Sequence, residues 1–383
     1  MKIVIAPDSF KESVSAFEAA QAIAMGFREV FPEAEIETIP MADGGEGTVE
    51  ALVHATGGQV IKKWVTGPLG EPVEAFFGLL GDGKTAVIEM AAASGLHLAP
   101  KGRRTPLFTT TRGTGELIRE ALDFGVEQIL IGIGGSATVD GGVGMIQALG
   151  GRFLNKNGDE IGPGGGHLSQ MASIDLSELD PRLKRIKFTA ACDVENPLTG
   201  PTGAAAVFGP QKGATPEMVQ ILDENLSHYA NLIQHMLGRE ISRLPGSGAA
   251  GGLGAGLIAF LNARLKPGVE IVLDLVHFDE RVEHASLVIT GEGRIDGQTI
   301  YGKTPIGVAK AAKKYHIPVI ALAGSLSEDS HRVLHHGIDA LYCILPGIIP
   351  LEEALNNGAT YLAQTARNIA MTLKLGKNLP MRN

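Results

Sequence analysis

Cysteine is nearly absent: Cys192 and Cys343 are the only two in 383 residues. Two thiols are too few for a disulfide framework or a cysteine-built zinc site. Aromatic residues make up 5% of the chain, with Trp64 the single tryptophan, which argues against an aromatic platform for stacking single-stranded nucleic acid. Basic residues are also in deficit, 33 against 42 acids for a formal charge of -9. No dense Lys/Arg block stands out, so the footprint of a nucleic-acid partner is missing. A few local bases and backbone N–H groups can still hold an anion. Long apolar runs are missing too. Met1–Ala6 is a strand-like run broken by Pro7-Asp8, not a secretory segment. The glycine-laden Gly248–Leu261 stops short of the ~20 residues a bilayer span requires. No membrane partner is expected, and the expected location is the cytoplasm. The histidines are scattered without zinc spacing, and no G-x-S-x-G elbow anchors a hydrolase triad.

Glycine is what the chain has in excess, 51 of 383 residues, about twice the usual ~7%. No G-X-Y period accompanies it, nor any repeat of 20–50 residues, so collagen and solenoids are excluded. The order of apolar runs explains its placement. Met1–Ala6 reads as a buried strand, Ala16–Phe31 as a helix ending before Pro32, and Ile36–Met41 as the next strand, followed by a helix over Gly47–Ala55. The same grammar recurs at Gln128–Ile133, Ile186–Cys192, Leu287–Thr290 and Pro318–Ala323, each leading into a polar, glycine-bearing loop. Alternation of this kind implies βαβ units and mainly parallel sheets. Val60–Ile88 differs, with turn signals at Gly67–Gly70 and Gly81–Gly83 that suggest antiparallel strands; Asn155–Ser169 is a glycine-rich loop or hairpin. The expected architecture is two α/β domains. One is Rossmann-like, three-layered, mainly parallel and discontinuous (1–61 with 283–383); the other is an inserted mixed α/β domain (62–282).

Ligands of open α/β sheets bind outside the carboxyl ends of the strands, where helix N-termini offer unpaired N–H groups. Five clusters fall there. In Asp8-Ser9-Phe10-Lys11, Lys11 could pair a phosphate or carboxylate with Asp8 orienting it; equally, Asp8 or Ser9 could cap a helix. Asp43-Gly44-Gly45-Glu46-Gly47-Thr48 could hold Mg²⁺ through its carboxylates, or form a tight turn. Gly134-Gly135-Ser136-Ala137-Thr138, with Asp140-Gly141-Gly142, is dense in N–H and hydroxyl donors suited to a phosphate, or packs a strand closely on a helix. Asp193-Val194-Glu195-Asn196 ends a strand, where an acid serves as general base or metal ligand; an Asn-Pro turn is the alternative. Asp296 immediately precedes Gly297–Thr304, which contains Lys303 and satisfies G-x₄-G-K-T. A phosphate loop of that type starts directly after its strand, and here the strand is expected to end near Thr290, which counts against a Walker fold. The glycines from Gly248 to Gly256, Gly251 and Gly252 among them, lack the acid of a dinucleotide fingerprint but would admit a backbone close to a phosphate.

Six ordered motifs together are similar to a known family. They are Ala6–Lys11, Met41–Thr48, Gly134–Thr138, Asp193 with Asn196-Pro197-Leu198, Gly248–Gly254, and Thr290–Gly293 with Asp296, Gln298-Thr299 and Gly302-Lys303. They resemble the bacterial glycerate kinase type-1 family, in particular its enterobacterial glycerate 2-kinases, over nearly the whole chain. The resemblance implies transfer of the ATP γ-phosphoryl group to D-glycerate, giving 2-phosphoglycerate, with Mg²⁺ as cofactor. For such a transfer, Asp193, Asp43 and Lys11 are the expected catalytic residues. Asp8, Ser9, Gly134, Gly135, Ser136, Thr138, Asn196, Gly251, Gly252, Glu292, Asp296 and Lys303 would bind substrate or nucleotide, and Asp43, Glu46 and Asp296 would hold the metal. Asp193, then Asp43, is the expected acceptor of the hydroxyl proton. Two departures stand out: Val139 where the family commonly has Asn, and Glu12 where many members carry glycine. Phosphorylation at the 3-hydroxyl, a nucleotide-dependent oxidoreductase and a non-catalytic acid sensor are the competing readings. Oligomeric state is open.

Overall fold

The computed structural model describes residues 1–377. Its strands are β1 (Lys2–Pro7), β2 (Glu35–Thr38), β3 (Gln59–Thr66), β4 (Pro72–Leu79), β5 (Thr85–Glu89), β6 (Gln128–Gly132), β7 (Arg152–Leu154), β8 (Ser173–Asp175), β9 (Lys187–Ala191), β10 (Arg264–Lys266), β11 (Leu287–Ile295), β12 (Val319–Leu326) and β13 (Ala340–Cys343). They fall into two compact units. The first joins Met1–Asp43 to Val269–Asn383, and the second is Gly44–Gly268. The expected α/β class holds. The junctions lie closer to the motifs than 61/62 and 282/283. The helix Thr48–Thr56 packs on β3, β4 and β5, and this attaches residues 44–61 to the second unit.

In the first unit the strand order is β13-β12-β11-β1-β2, every neighbouring pair parallel. Alternate residues of its central strands are buried on opposite faces. Ile3, Ile5, Leu287, Ile289, Ile320 and Leu322 share a core with Phe27 of the helix Ala16–Val30 and with Leu362 and Ile369 of the helix Gly358–Lys377. Their neighbours Val4, Val288 and Val319 are buried as well, on the side met by the helix Thr304–Lys313, which packs on β11, β1 and β12. That makes three layers. The helix Ala16–Val30 starts at a capping box: Ser15 Oγ accepts from Glu18 N at 3.2 Å, and Ser15 N donates to Glu18 Oε2 at 2.9 Å.

In the second unit the order is β10-β9-β6-β5-β4-β3. The β3–β4 and β4–β5 pairs are antiparallel, as the turn signals suggested, and β5, β6, β9 and β10 run parallel. A β7–β8 hairpin encloses the expected glycine-rich loop. The strands of this sheet add in one direction. The first sheet instead grows from β1 to β2 on one side and from β11 through β13 on the other, so its order reverses between β1 and β11. A ligand crevice opens at such a reversal, beyond the carboxyl ends of the two strands.

Candidate active site

Register decides what stands at that reversal. Pro7 pairs with Gly291, so the next residues, Asp8 and Glu292, end up side by side on neighbouring parallel strands. Asp8 N donates to Gly291 O at 2.8 Å, locking the alignment. Asp8 is buried, and its carboxylate accepts from Ser9 N at 2.6 Å and from Thr304 Oγ1 at 2.5 Å. Burial is the main cause that pushes its pKa up to about 6; the charge of Asp43 adds to this, while Thr304, Ser9 and Lys11 pull the other way. Glu292 rises to about 7, again mainly by burial, with Asp8 and Asp43 adding and Lys303 and Thr299 opposing. Lys303 Nζ is shared between Glu292 at 3.7 Å and Asp296 at 3.9 Å, and Thr299 Oγ1 donates to Glu292 at 2.9 Å.

The first unit therefore gathers Asp8, Ser9, Lys11, Asp43, Glu292, Asp296 and Lys303 about one sheet reversal. Lys11 is exposed, and its charge is felt at Asp8. Thr299 and Thr304 were not expected as participants. Each is a buried hydroxyl, Thr299 from the Gln298-Thr299 motif and Thr304 from the end of the G-x₄-G-K-T match.

The strand leading to Gly297 needs correction. It continues to Ile295 rather than ending near Thr290, so the gap held against a phosphate loop is absent. What distinguishes this loop is its interior. Thr299 N donates to Asp296 O at 3.0 Å, a 3₁₀ turn covers Thr299–Tyr301, and Lys303 precedes a helix that starts at Thr304 with Pro305 in its first turn. The lysine is engaged with two acids and the threonine with Asp8, so the loop closes on itself instead of lining up consecutive N–H groups.

The second unit places its expected residues differently. Glu89, at the end of β5, receives Val49 N at 2.8 Å and is held also by the N–H groups of Gly47 and Thr48, an anion at the start of the helix Thr48–Thr56. Burial carries it up to about 7, and Glu46 contributes to that rise. Glu46 itself is exposed. Sequence reading missed Glu89, although an acid ending the apolar run Thr85–Glu89 was the available signal.

The Gly134–Thr138 loop is fixed from within. Lys212, 1% exposed, donates from Nζ to Ser136 Oγ at 2.6 Å and to Thr138 O at 2.7 Å. Burial lowers its pKa to about 7 against the pull of Asp140. Asp140 Oδ2 accepts from Thr111 N and Thr111 Oγ1, both at 2.8 Å, and from Gly144 N at 3.3 Å, while Oδ1 accepts from Gly142 N at 3.2 Å. Burial still holds its pKa above the usual carboxylate range. Ser136 and Thr138 are thus buried, with the Ser136 hydroxyl accepting from Lys212. Among the described residues, Thr138 Oγ1 is the buried side-chain polar atom without a hydrogen-bond partner. Only Gly134 and Gly135 of this loop are exposed.

Gly251 and Gly252 are packing residues: both adopt positive φ, and a Cβ on Gly251 would come within 1.9 Å of Thr138 O. Asn196 braces its own loop by donating from Nδ2 to Thr202 O at 2.8 Å. Asp193, exposed at the end of β9, accepts Gly268 N at 2.9 Å. Among the described residues no three His, Cys, Asp or Glu side chains form a ready-made metal cluster, and no helix is long and apolar enough to cross a membrane.

Buried carboxylates with raised pKa values at a strand-order reversal, beside a lysine and a helix start, make this the candidate site of an α/β enzyme. Residues 3–374 match the Glycerate kinase family, and the chain belongs to that family, which makes it an ATP-dependent kinase. It is 64% identical over 379 residues to a glycerate kinase of Bacillus subtilis (strain 168), covering 99% of each chain. It is 58% identical over 376 residues to the glycerate 2-kinase of Escherichia coli (strain K12), covering 98% of this chain and 99% of that one. A crystal structure described as a glycerate kinase 2 from Salmonella typhimurium LT2 superposes with a TM-score of 0.92 at 56% identity, covering 99% of this chain and all of the other.

Proposed function

We propose that this enzyme transfers the γ-phosphoryl group of ATP to the 2-hydroxyl of D-glycerate, forming 2-phosphoglycerate and ADP in the cytoplasm. The observation that carries the reading is the Asp8–Glu292 pair at the β1/β11 reversal, with Lys303 against Glu292. Phosphoryl transfer is achieved mostly by positioning and charge neutralisation, and a general base works best with a pKa near the operating pH. Asp8, at about 6, meets that requirement. It takes the acceptor's hydroxyl proton in this scheme, with Asp193 and Asp43, the acids favoured from the sequence, as the alternatives. Lys303 and Lys11 neutralise phosphate oxygens or grip the substrate carboxylate, and the Gly134–Gly135 backbone donates to an anionic group.

Mg²⁺ fits the first unit. Asp43 raises the pKa of both Asp8 and Glu292, a surplus of negative charge that a hard cation relieves. Asp43 and Asp296 would hold it; Mg²⁺ typically needs only one or two carboxylates, with waters and substrate phosphates completing its shell. When bound, the ion supplies charge neutralisation at the phosphate oxygens. Glu46, whose charge is felt at Glu89 in the second unit, is not needed for this set.

The test is ATP consumption with D-glycerate and Mg²⁺, with NMR of the product to locate the phosphate. Phosphate on carbon 2 is expected. A 3-phosphoglycerate product refutes the regiochemistry, and no glycerate-dependent ATP use refutes the reading as a whole.

A further inference from the structure

Lys212 occupies an unusual setting. A lysine ammonium is almost never fully buried unless paired, yet among the described residues no carboxylate lies within ion-pair distance of Lys212. Its two acceptors are a hydroxyl and a carbonyl of one loop, Ser136 Oγ and Thr138 O. That loop follows β6, and only its tip, Gly134-Gly135, reaches solvent. The backbone hydrogen bonds of this segment use Gly135 O, which accepts Leu96 N at 2.8 Å, and Ala137 N, which donates to Ser94 O at 2.9 Å. The N–H groups of Gly134, Gly135 and Ser136 are not spent in them. Three successive N–H groups around a residue with φ +71° form the kind of backbone concavity that receives an anion.

We infer that Lys212 is a positioning residue, holding the Gly134–Ser136 N–H groups in place as the seat of an anionic oxygen group of one substrate. The inference rests on the kinase reading and adds to it a residue that touches no substrate. Lys212 acts through Ser136 and Thr138. Its two bonds fix the inner half of the loop, Asp140 fixes the following turn through Thr111, Gly142 and Gly144, and the outer half is left facing water. A substitution that frees the inner half lets the N–H groups diverge, weakening ground-state and transition-state binding alike. That raises KM and leaves kcat nearly unchanged. The anion is a phosphate of the nucleotide or the carboxylate of the acceptor acid, and separate KM measurements tell them apart.

The experiment compares wild type, Lys212→Met and Ser136→Ala, with thermal unfolding of each. Wild-type amide NMR follows Gly134 and Gly135 during titration with ADP and, separately, with D-glycerate. The inference expects one of the two compounds to shift these amides. It also expects Lys212→Met to raise KM for the matching substrate about tenfold or more with kcat within about threefold, and Ser136→Ala, which keeps the ammonium, to raise it less. Should Lys212→Met not fold, Ser136→Ala and the titrations decide. Unshifted amides with both ligands, or folded variants whose two KM values stay within twofold of wild type, overturn it. Wild type that shows the amide shifts without glycerate-dependent turnover refutes the kinase reading instead, and leaves the anion seat standing.

Discussion

Burial raises carboxylate pKa values in both units, but the donors around the buried acids differ. At the β1/β11 reversal, Asp8 and Glu292 stand on adjacent strands, near Asp43, with few donors to satisfy them; burial and mutual repulsion keep their pKa values at about 6 and about 7. Beyond β6, the buried Asp140 is surrounded by four donors from its own loop and from Thr111, and Lys212 by two acceptors. The first arrangement leaves electrostatic strain in place for a proton or cation to relieve. The second spends its polar groups on shape. The sheets differ in the same sense, one reversing its strand order and so opening a crevice, the other extending monotonically. Glycine-rich loops after parallel strands are therefore not equivalent, since one set borders buried carboxylates with raised pKa values and the other is a braced backbone.

The largest expected effect separates the two directly. Asp8→Asn should lower kcat about 10²–10⁴-fold, the range for losing an acid–base group, with unfolding free energy within about 1 kcal/mol of wild type or above it, because burial already disfavours the charge. Asp140→Asn should invert the pattern. One of its oxygens becomes a donor facing donors, costing about 1–3 kcal/mol, while kcat of the folded fraction stays within about tenfold. Denaturant unfolding and steady-state kinetics on both variants check this; equal loss of activity in the two would collapse the distinction.

A pH series gives the next effect. The Asp8 and Glu292 carboxylates are present only above their raised pKa values, so kcat/KM should fall as pH drops from about 7 to about 6. Lys303→Met removes a cation that favours ionised Glu292, so the acid limb should move to higher pH. Stability carries opposite signs for these carboxylates and for Lys212. Between the ordinary carboxylate values of 3.8 and 4.5 and the native values near 6 and 7, the unfolded chain binds fewer protons, and these two groups make stability fall as pH rises. Lys212 has an ordinary value of 10.5 and a native one of about 7. Across that interval the unfolded chain binds more protons, so its contribution rises with pH. Unfolding followed across pH in Asp8→Asn and in Lys212→Met should flatten the acid and the alkaline slope respectively.

The smallest effects are local. Glu89→Gln weakens the anion at the start of the helix Thr48–Thr56 and should cost about 0.5–2 kcal/mol, the range for a lost helix cap. Glu12 holds φ +64°, the left-handed region that glycine enters freely. Glu12→Gly should stabilise by about 0.5 kcal/mol, the removed strain of roughly 1 kcal/mol being partly offset by glycine's entropy. A destabilised Glu12→Gly variant would show that the side chain contributes something the backbone argument omits.

Much of this was legible beforehand because strand and helix periods are local. The βαβ order, the antiparallel β3–β5 segment and the polar clusters at strand ends follow from side-chain spacing and turn residues. Among the acids, Asp8, Asp43 and Asp296 were readable as members of polar loops after strands, and Glu292 entered through the family resemblance. Lys212 was not readable, since only burial against Ser136 and Thr138 sets it apart from other lysines. Ser136 and Thr138 went the other way, suited to a ligand by type and buried by packing. Strand β11 also outran its apolar run, because pairing of Arg294 and Ile295 with Ser325 and Leu326 of β12 carries the ladder through polar residues.

By itself, then, the sequence determined the alternation of strand, loop and helix, the family and the pool of residues able to do chemistry, all of which depend on residue type and near-neighbour spacing. Only the tertiary structure decided that Asp8 and Glu292 share a strand-order reversal, that Lys212 lies beneath a glycine loop, and that Gly251 packs against Thr138. Those are relations between residues 70 to 290 positions apart, set by strand register and burial. A carboxylate's proton affinity depends on the dielectric and charges around it, which no stretch of neighbouring sequence specifies.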